Sequence, residues 1–148
     1  MGTVTLNDIR VTPLKKFPAV GGNVFHAMKE NDIGFAGFGE AYFSWINTGA
    51  IKAWKRHKTM TMNLVVPYGQ VRFVFCVNET NVLEENRVIE IGSENYSRIT
   101  VPQGLWFGFQ GLSSPKSLVL NISNLIHDQN EVERKELKEI PYIWNPIK

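Results

Sequence analysis

Short β segments, closely spaced and separated by turn residues, are the feature that most narrows what this chain can fold into. The run Val71-Arg72-Phe73-Val74-Phe75-Cys76-Val77 is dense in β-branched and aromatic residues and short enough for one strand. Residues 60–66 form a second run just before it. Between them, Val66-Pro67-Tyr68-Gly69 has Pro at the second and Gly at the fourth position of a type I turn, which predicts a hairpin. Further strands are predicted over 40–45, 51–57, 86–91, 98–101, 106–110 and 117–123. Turn signals lie between them at Asn47-Thr48-Gly49, Gly92-Ser93, Pro102-Gln103-Gly104 and Ser113-Ser114-Pro115. Strands at this spacing, with no internal repeat, predict an all-β sandwich or barrel. The chain of 148 residues suits a single domain, 1–148, with a core that needs no staples.

Composition removes several function classes. Sixteen Lys and Arg against fourteen Asp and Glu leave a net charge of +2, too little for electrostatic binding of nucleic acid. The lone Cys76 excludes an intrachain disulfide and any Cys-rich zinc module, and within its apolar strand it reads as an inert small hydrophobe. The polar start of the chain has no apolar stretch of signal-peptide length, and Leu64-Val65-Val66-Pro67 is far below a membrane span, so a cytoplasmic protein is expected. On that expectation the glycosylation triplets at Asn78, Asn95 and Asn121 are chance. Gly21-Gly22 and the stretch 34–39 read as turns with packed Phe anchors, since neither has the order of a phosphate-binding glycine loop. The charged tail 128–139 is expected to form a turn or two of helix, with Asp128 as its N-cap.

The segment from Gly49 to Gly69 carries the densest chemistry. Ile51-Lys52-Ala53-Trp54-Lys55-Arg56-His57 puts four cationic or titratable side chains on one strand. Alternation sends Lys55 and His57 to one face and Lys52, Trp54 and Arg56 to the other, provided no bulge intervenes. A basic strand with a Trp suits an anionic, ring-bearing ligand such as a nucleotide diphosphate. It equally suits an exposed edge strand that carries Lys against aggregation. His26 reads as a packed or surface residue, and His127, beside Asp128, as a structural or capping one.

The spacing within and beyond this segment resembles that of the cupins. Gly49, Lys55, His57, Met62 and Gly69 match a first motif of Gly, five residues, His-x-His, Glu, six residues and Gly. Pro102-Gln103-Gly104-Leu105-Trp106-Phe107 matches the second, Pro-x-Gly-x-x-His. Of the 3-His-1-Glu metal set only His57 is kept, and a divalent metal takes about three or four ligands, so no metal and no cofactor is expected. Among cupins the chain resembles the dTDP-4-dehydrorhamnose 3,5-epimerase (RmlC-like) family along most of its length. The resemblance runs from Gly22 through 49–58 and 63–75, then 96–106, Leu120-Asn121-Ile122 and 140–144.

The resemblance implies a jelly roll that binds a nucleotide-diphospho-sugar, in deoxysugar or surface polysaccharide biosynthesis. It also implies a homodimer with exchanged N-terminal strands. The family's chemistry is removal of a proton beside the C4 carbonyl, stabilisation of the resulting enolate and protonation of the opposite face. Lys52 stands at the diphosphate-contacting position and Lys55 at that of the base histidine. Met62 takes the place of the catalytic lysine, Phe107 that of the pocket histidine, and Leu120 lies near that of the tyrosine. The acidic partner of the base is expected within 136–139.

The implied catalytic set is His57 or Lys55 as base, with the base lysine tuned by Lys52, Arg56 and Arg72, and Tyr42 or Tyr68 as proton donor. The implied substrate-binding set is Lys52, Trp54, Arg56, Asn63, Arg72, Trp106 and Phe107. Beside epimerisation at two carbons stand a 3-epimerase or ketoisomerase on a related keto sugar, and a non-catalytic cupin that binds a nucleotide sugar or a partner.

Overall fold

In the run after Gly69, Val71, Phe73 and Phe75 point to one side and Val74 and Cys76 to the other, and all five are fully buried. A strand covered on both faces needs layers above and below it, and the computed structural model, which describes residues 3–145, supplies them. Its strands are β1 (Arg10–Pro13), β2 (Lys16–Phe17), β3 (Val24–Phe25), β4 (Glu40–Asn47), β5 (Ile51–His57) and β6 (Met62–Tyr68). They continue with β7 (Gln70–Cys76), β8 (Arg87–Gly92), β9 (Ser97–Val101), β10 (Trp106–Gly111), β11 (Lys116–Ser123) and β12 (Val132–Arg134). Two five-stranded sheets, β1-β9-β6-β11-β4 and β12-β5-β10-β7-β8, form the all-β sandwich, and β2 and β3 make a separate two-stranded arm. Every pairing between strands is antiparallel.

The predicted hairpin of the two central runs does not form. β6 pairs with β9 and β11 in the first sheet, and β7 pairs with β8 and β10 in the second. The chain instead turns a corner between the sheets at Gly69, whose φ of 86° suits glycine and where a Cβ would run into Ser117 Oγ. The Gln70 N–H donates to that hydroxyl (3.1 Å), which donates in turn to the Gln70 carbonyl (3.1 Å). Both strands bury residues on both faces, so each is better placed in the middle of its own sheet than beside the other.

The tail also differs from expectation. β12 extends along β5 with Val132 opposite His57, Glu133 opposite Arg56 and Arg134 opposite Lys55. Its helical content is one 3-10 turn, Leu137–Glu139, and Asp128 caps no helix but accepts from the Asn130 N–H at 2.9 Å. The charges that read as a solvated helix are cross-strand partners. Arg56 holds Glu133 with both Nε (3.1 Å) and Nη2 (2.9 Å), a bidentate pair that favours the extended register. β5 is therefore an interior strand, not an exposed edge.

The apolar core lies where β6 and β9 face β7 and β8, with Met62, Leu64, Val66, Phe73, Phe75, Ile91 and Ile99 at its centre. A smaller cluster of Trp54, Val74, Cys76, Val82, Trp106 and Ile140 covers the outside of the second sheet. The 26–35 loop covers the outside of the first sheet. Arg98, fully buried, donates from Nη1 to the Ala27 carbonyl (2.9 Å) and from Nη2 to the Ile33 carbonyl (2.9 Å). The other end of the sandwich, where β4 and β11 face β5, β10 and β12, is not filled. Among the described residues no helix is long and apolar enough to cross a membrane.

Candidate active site

One irregularity on β5 determines which side chains enter that unfilled end. β10 pairs Phe107 with Lys55 and then Gly108 with Ala53, so Trp54 is skipped. The bulge fits because Gly108 has no side chain; a Cβ there would meet that of Ala53. The skip breaks the simple alternation. The Trp54 indole goes outward, against Trp144 (5.5 Å between ring centroids), while Lys52 joins Lys55 on the cavity side. Lys52 Nζ bridges the two sheets at the mouth, donating to Ser44 Oγ (3.1 Å) and to the Trp45 carbonyl (2.7 Å).

The cavity has a volume of ≈ 410 Å³. Phe107, Phe109, Leu64 and Val119 make its apolar walls, Tyr42, Ser44 and Asn121 its polar side on the first sheet, and Lys52, Lys55, Arg134 and Lys135 its charges. No carboxylate is among the described residues that line it. Burial, reinforced by the Arg134 and Lys52 charges, pushes the Lys55 amine below the usual lysine range. Burial, with the Glu40 charge, raises the Tyr42 phenol against the opposing hydrogen bond from Asn121, whose Nδ2–H donates to the phenol oxygen at 3.0 Å. Tyr42 on β4 and Lys55 on β5 thus stand on opposite walls.

His57 follows Lys55 on the same face of β5 but does not line the cavity directly. Its ring lies nearly parallel to that of Phe107, 6.1 Å away, and its side chain is 11% exposed. Nδ1 lies 2.7 Å from Glu131 Oε1, so the proton sits on Nδ1 and Nε2 is left as the acceptor nitrogen. Glu131 Oε2 accepts from the Thr59 (3.0 Å) and Met60 (2.8 Å) backbone N–H groups. Burial raises the Glu131 carboxyl, but the hydrogen bonds from His57, Thr59 and Met60 outweigh it and hold the group below the usual carboxylate range. The acidic partner of the histidine is therefore Glu131, upstream of the expected 136–139. There Glu136 and Glu139 cap their own 3-10 turn.

Of the residues singled out from sequence, the structure brings Lys52, Lys55, Tyr42 and Phe107 into the cavity, with Trp54 contributing wall at the bulge. Others lie elsewhere. Arg56 lies outside the second sheet over the Trp106 ring (4.6 Å), and Trp106 packs in the outer cluster. Arg72 also faces outward, paired with Glu90 (2.8 Å) and bonded to Gln110 (3.1 Å). The cations that tune Lys55 are thus Lys52 and Arg134, in place of the Lys52, Arg56 and Arg72 cluster. Asn63 supports the loop over the first sheet, donating to the Gly34 carbonyl (3.0 Å). Tyr68 is exposed against Trp45 (6.2 Å).

Sequence reasoning missed Asn121, Arg134, Lys135 and Glu131. Glu131, Arg134 and Lys135 left a signal only as charges in the tail 128–139, and Asn121 only within the matching segment Leu120-Asn121-Ile122. Among the described residues no group of three His, Cys, Asp or Glu side chains is placed to hold a metal ion.

No protein-family model matches the chain, and no curated protein does. Solved structures do. A dTDP sugar isomerase from Desulfovibrio desulfuricans G20 is 30% identical, with a TM-score of 0.84 over 93% of this chain and 90% of that one. QdtA, a sugar 3,4-ketoisomerase from Thermoanaerobacterium thermosaccharolyticum solved with TDP, is 14% identical, with a TM-score of 0.74 over 92% and 94% of the two chains. The 3,5-epimerase RmlC from Legionella pneumophila, solved with dTDP-4-keto-L-rhamnose, is 14% identical, with a TM-score of 0.78 over 97% and 81%. At that identity the last two show the fold alone.

The His57–Glu131 pair has a signature in stability. The Glu131 carboxyl titrates lower in the folded chain than in the unfolded one. Its contribution is therefore complete above the unfolded value of about 4.3 and is lost as pH falls through the folded value. Replacing Glu131 with Gln should cost about 1–3 kcal/mol in urea unfolding at pH 7. The gap to the parent should close progressively below pH ~4. A gap that stays constant down to that pH would show that the carboxylate charge is not what holds β12 to the β5–β6 connection.

Proposed function

The chain belongs to the RmlC-like cupin family, and from that premise we propose that it is a nucleotide-sugar isomerase, specifically an epimerase acting on a dTDP-4-keto-6-deoxyhexose. The observation that carries the choice of epimerisation is the placement of Tyr42 and Lys55 on opposite walls of one cavity. Inversion at carbon needs a proton taken from one face of the ring and returned to the other. His57, fixed in its tautomer by Glu131 and set just behind the lining beside Phe107, takes the proton at the β5 wall through one bridging water. Lys52 faces the negative charge that develops on the carbonyl oxygen, and Tyr42, whose phenol is held protonated, returns a proton from the β4 wall.

The nucleotide reading is supported by a cavity lined with cations and, among the described residues, no carboxylate, and by similar structures solved with TDP or a dTDP sugar. A cytoplasmic setting is part of the reading, supported by Cys76, which is buried and unpaired, with its thiol pushed up to about 12 by burial.

The test is incubation with a dTDP-4-keto-6-deoxyhexose in D2O, followed by NMR. Deuterium at C3 and C5 with inversion is the expected result. Carbonyl migration to C3 would make the protein a ketoisomerase, and binding without label a non-catalytic module. His57→Asn should slow exchange at least about tenfold, 1.4 kcal/mol of barrier, with binding retained. Unchanged exchange in that variant would remove His57 as the base.

A homodimer belongs to the same proposal. Phe43, Trp45 and Tyr68 are 64%, 48% and 54% exposed along the β4 side of the first sheet, an apolar surface that a second copy would cover. Sedimentation should give a mass of two chains, falling to one in Trp45→Glu. A monomeric parent chain contradicts this part of the reading.

A further inference from the structure

Lys55, together with Arg134, differs from the other cations around the cavity. Lys52 is bonded to Ser44 and the Trp45 carbonyl, Lys135 to Glu79 (3.2 Å), and Arg56 to Glu133. Among the described residues, the Lys55 and Arg134 side chains make no hydrogen bond or ion pair, and Lys55 is half-buried against Phe107, its cross-strand partner on β10. Arg134 stands opposite it on β12, and Lys52 lies on the same wall. A proton on Lys55 would place a third positive charge beside two others, in a cavity walled by Phe, Leu and Val with no lining acid to offset it. The neutral form escapes that repulsion and desolvation, so burial and the Arg134 and Lys52 charges lower the titration of the amine and enlarge the fraction free to attack a carbonyl group. A neutral lysine amine in an apolar, cation-flanked cavity is a nucleophile for carbonyl groups.

We propose that Lys55 is a covalent catalyst whose Nζ condenses with the ketone of the bound sugar to form an iminium. The proposal rests on the keto-sugar reading above and deepens it. The amine lone pair forms the C–N bond, and the carbonyl π pair moves to oxygen, which takes a proton. Two amine protons and the carbonyl oxygen then leave as water, and one further proton from Tyr42 or solvent makes the nitrogen cationic. The adjacent C–H breaks and its proton passes through one water to His57. Its electron pair forms C=C as the C=N π pair moves onto nitrogen, giving an enamine. Reprotonation at carbon restores the iminium, and water returns the ketone and the free amine. No oxidant or reductant takes part.

Three readouts test this in the full chain. Borohydride added during turnover should attach the sugar through a stable amine to the peptide that contains Lys55. In H2 18O the ketone oxygen should exchange at least about tenfold faster than by spontaneous hydration, 1.4 kcal/mol of barrier. Lys55→Met, which keeps the length of the side chain but has no amine, should melt like the parent and lose both signals. Pyridoxal phosphate with cyanoborohydride serves as a probe independent of the sugar and should label Lys55 ahead of the surface lysines.

Solvent deuterium entering the sugar with no borohydride adduct and no 18O entry would overturn the iminium and leave the isomerase reading standing. So would full activity in Lys55→Met, which would remove the Lys55 amine from the chemistry. Labelling of Lys55 by pyridoxal phosphate in a protein that binds no keto sugar would overturn the substrate reading on which the proposal rests.

Discussion

The pairing of β5 with β10 across the skipped Trp54 is the constraint on which the rest of the site depends. It sends one indole outward to seal the second sheet and brings a lysine to the cavity side. Gly108 permits it by leaving room for Ala53. Without the skip, Lys52 would join Arg56 outside and the cavity would lose the cation that spans its mouth. A one-residue change of register reverses every side chain beyond it, so the bulge sets the identity of the pocket as well as its shape.

The second organising principle is the separation of charge. On the outside of the second sheet Arg56 pairs with Glu133 and Arg72 with Glu90, and Lys135 at the edge of the cavity pairs with Glu79. Inside, Lys55 and Arg134 face apolar walls and a tyrosine with no lining acid among the described residues. A net charge of only +2 therefore conceals a cavity whose charged lining, Lys52, Arg134 and Lys135 beside Lys55, is entirely basic among the described residues. β12 contributes to both sides, since Glu133 neutralises the outer face while Arg134 points charge inward. Glu131, just before it, orients His57.

Strand content was legible because it is local. The run 51–57 forms a strand with those bounds, and the β7 and β11 runs are placed to within a residue or so. What was illegible is what distant segments decide. Val66-Pro67-Tyr68-Gly69 carries the signature of a hairpin turn, yet the two flanking strands each bury residues on both faces and join different sheets. The tail 128–139 has the charge density of a solvated helix, but its acids find Arg56 and His57 across β5. At the site, Lys52 and Lys55 were identifiable as basic residues on one strand. Their common face was not, because it follows from the bulge. Asn121 is an ordinary strand residue in sequence and becomes a site residue only because β11 lies beside β4 and brings its amide to Tyr42.

The claim that unites these observations is that inward-facing cations make the cavity a receptor for the diphosphate of a nucleotide. Titration calorimetry of dTDP against thymidine tests it most directly. The account predicts that dTDP binds and that thymidine binds at least about tenfold more weakly, a difference of 1.4 kcal/mol or more. It also predicts that the advantage shrinks with added salt and in Lys52→Met and Arg134→Met. Equal affinity for nucleoside and diphosphate, or a dTDP affinity untouched by both substitutions, would contradict it.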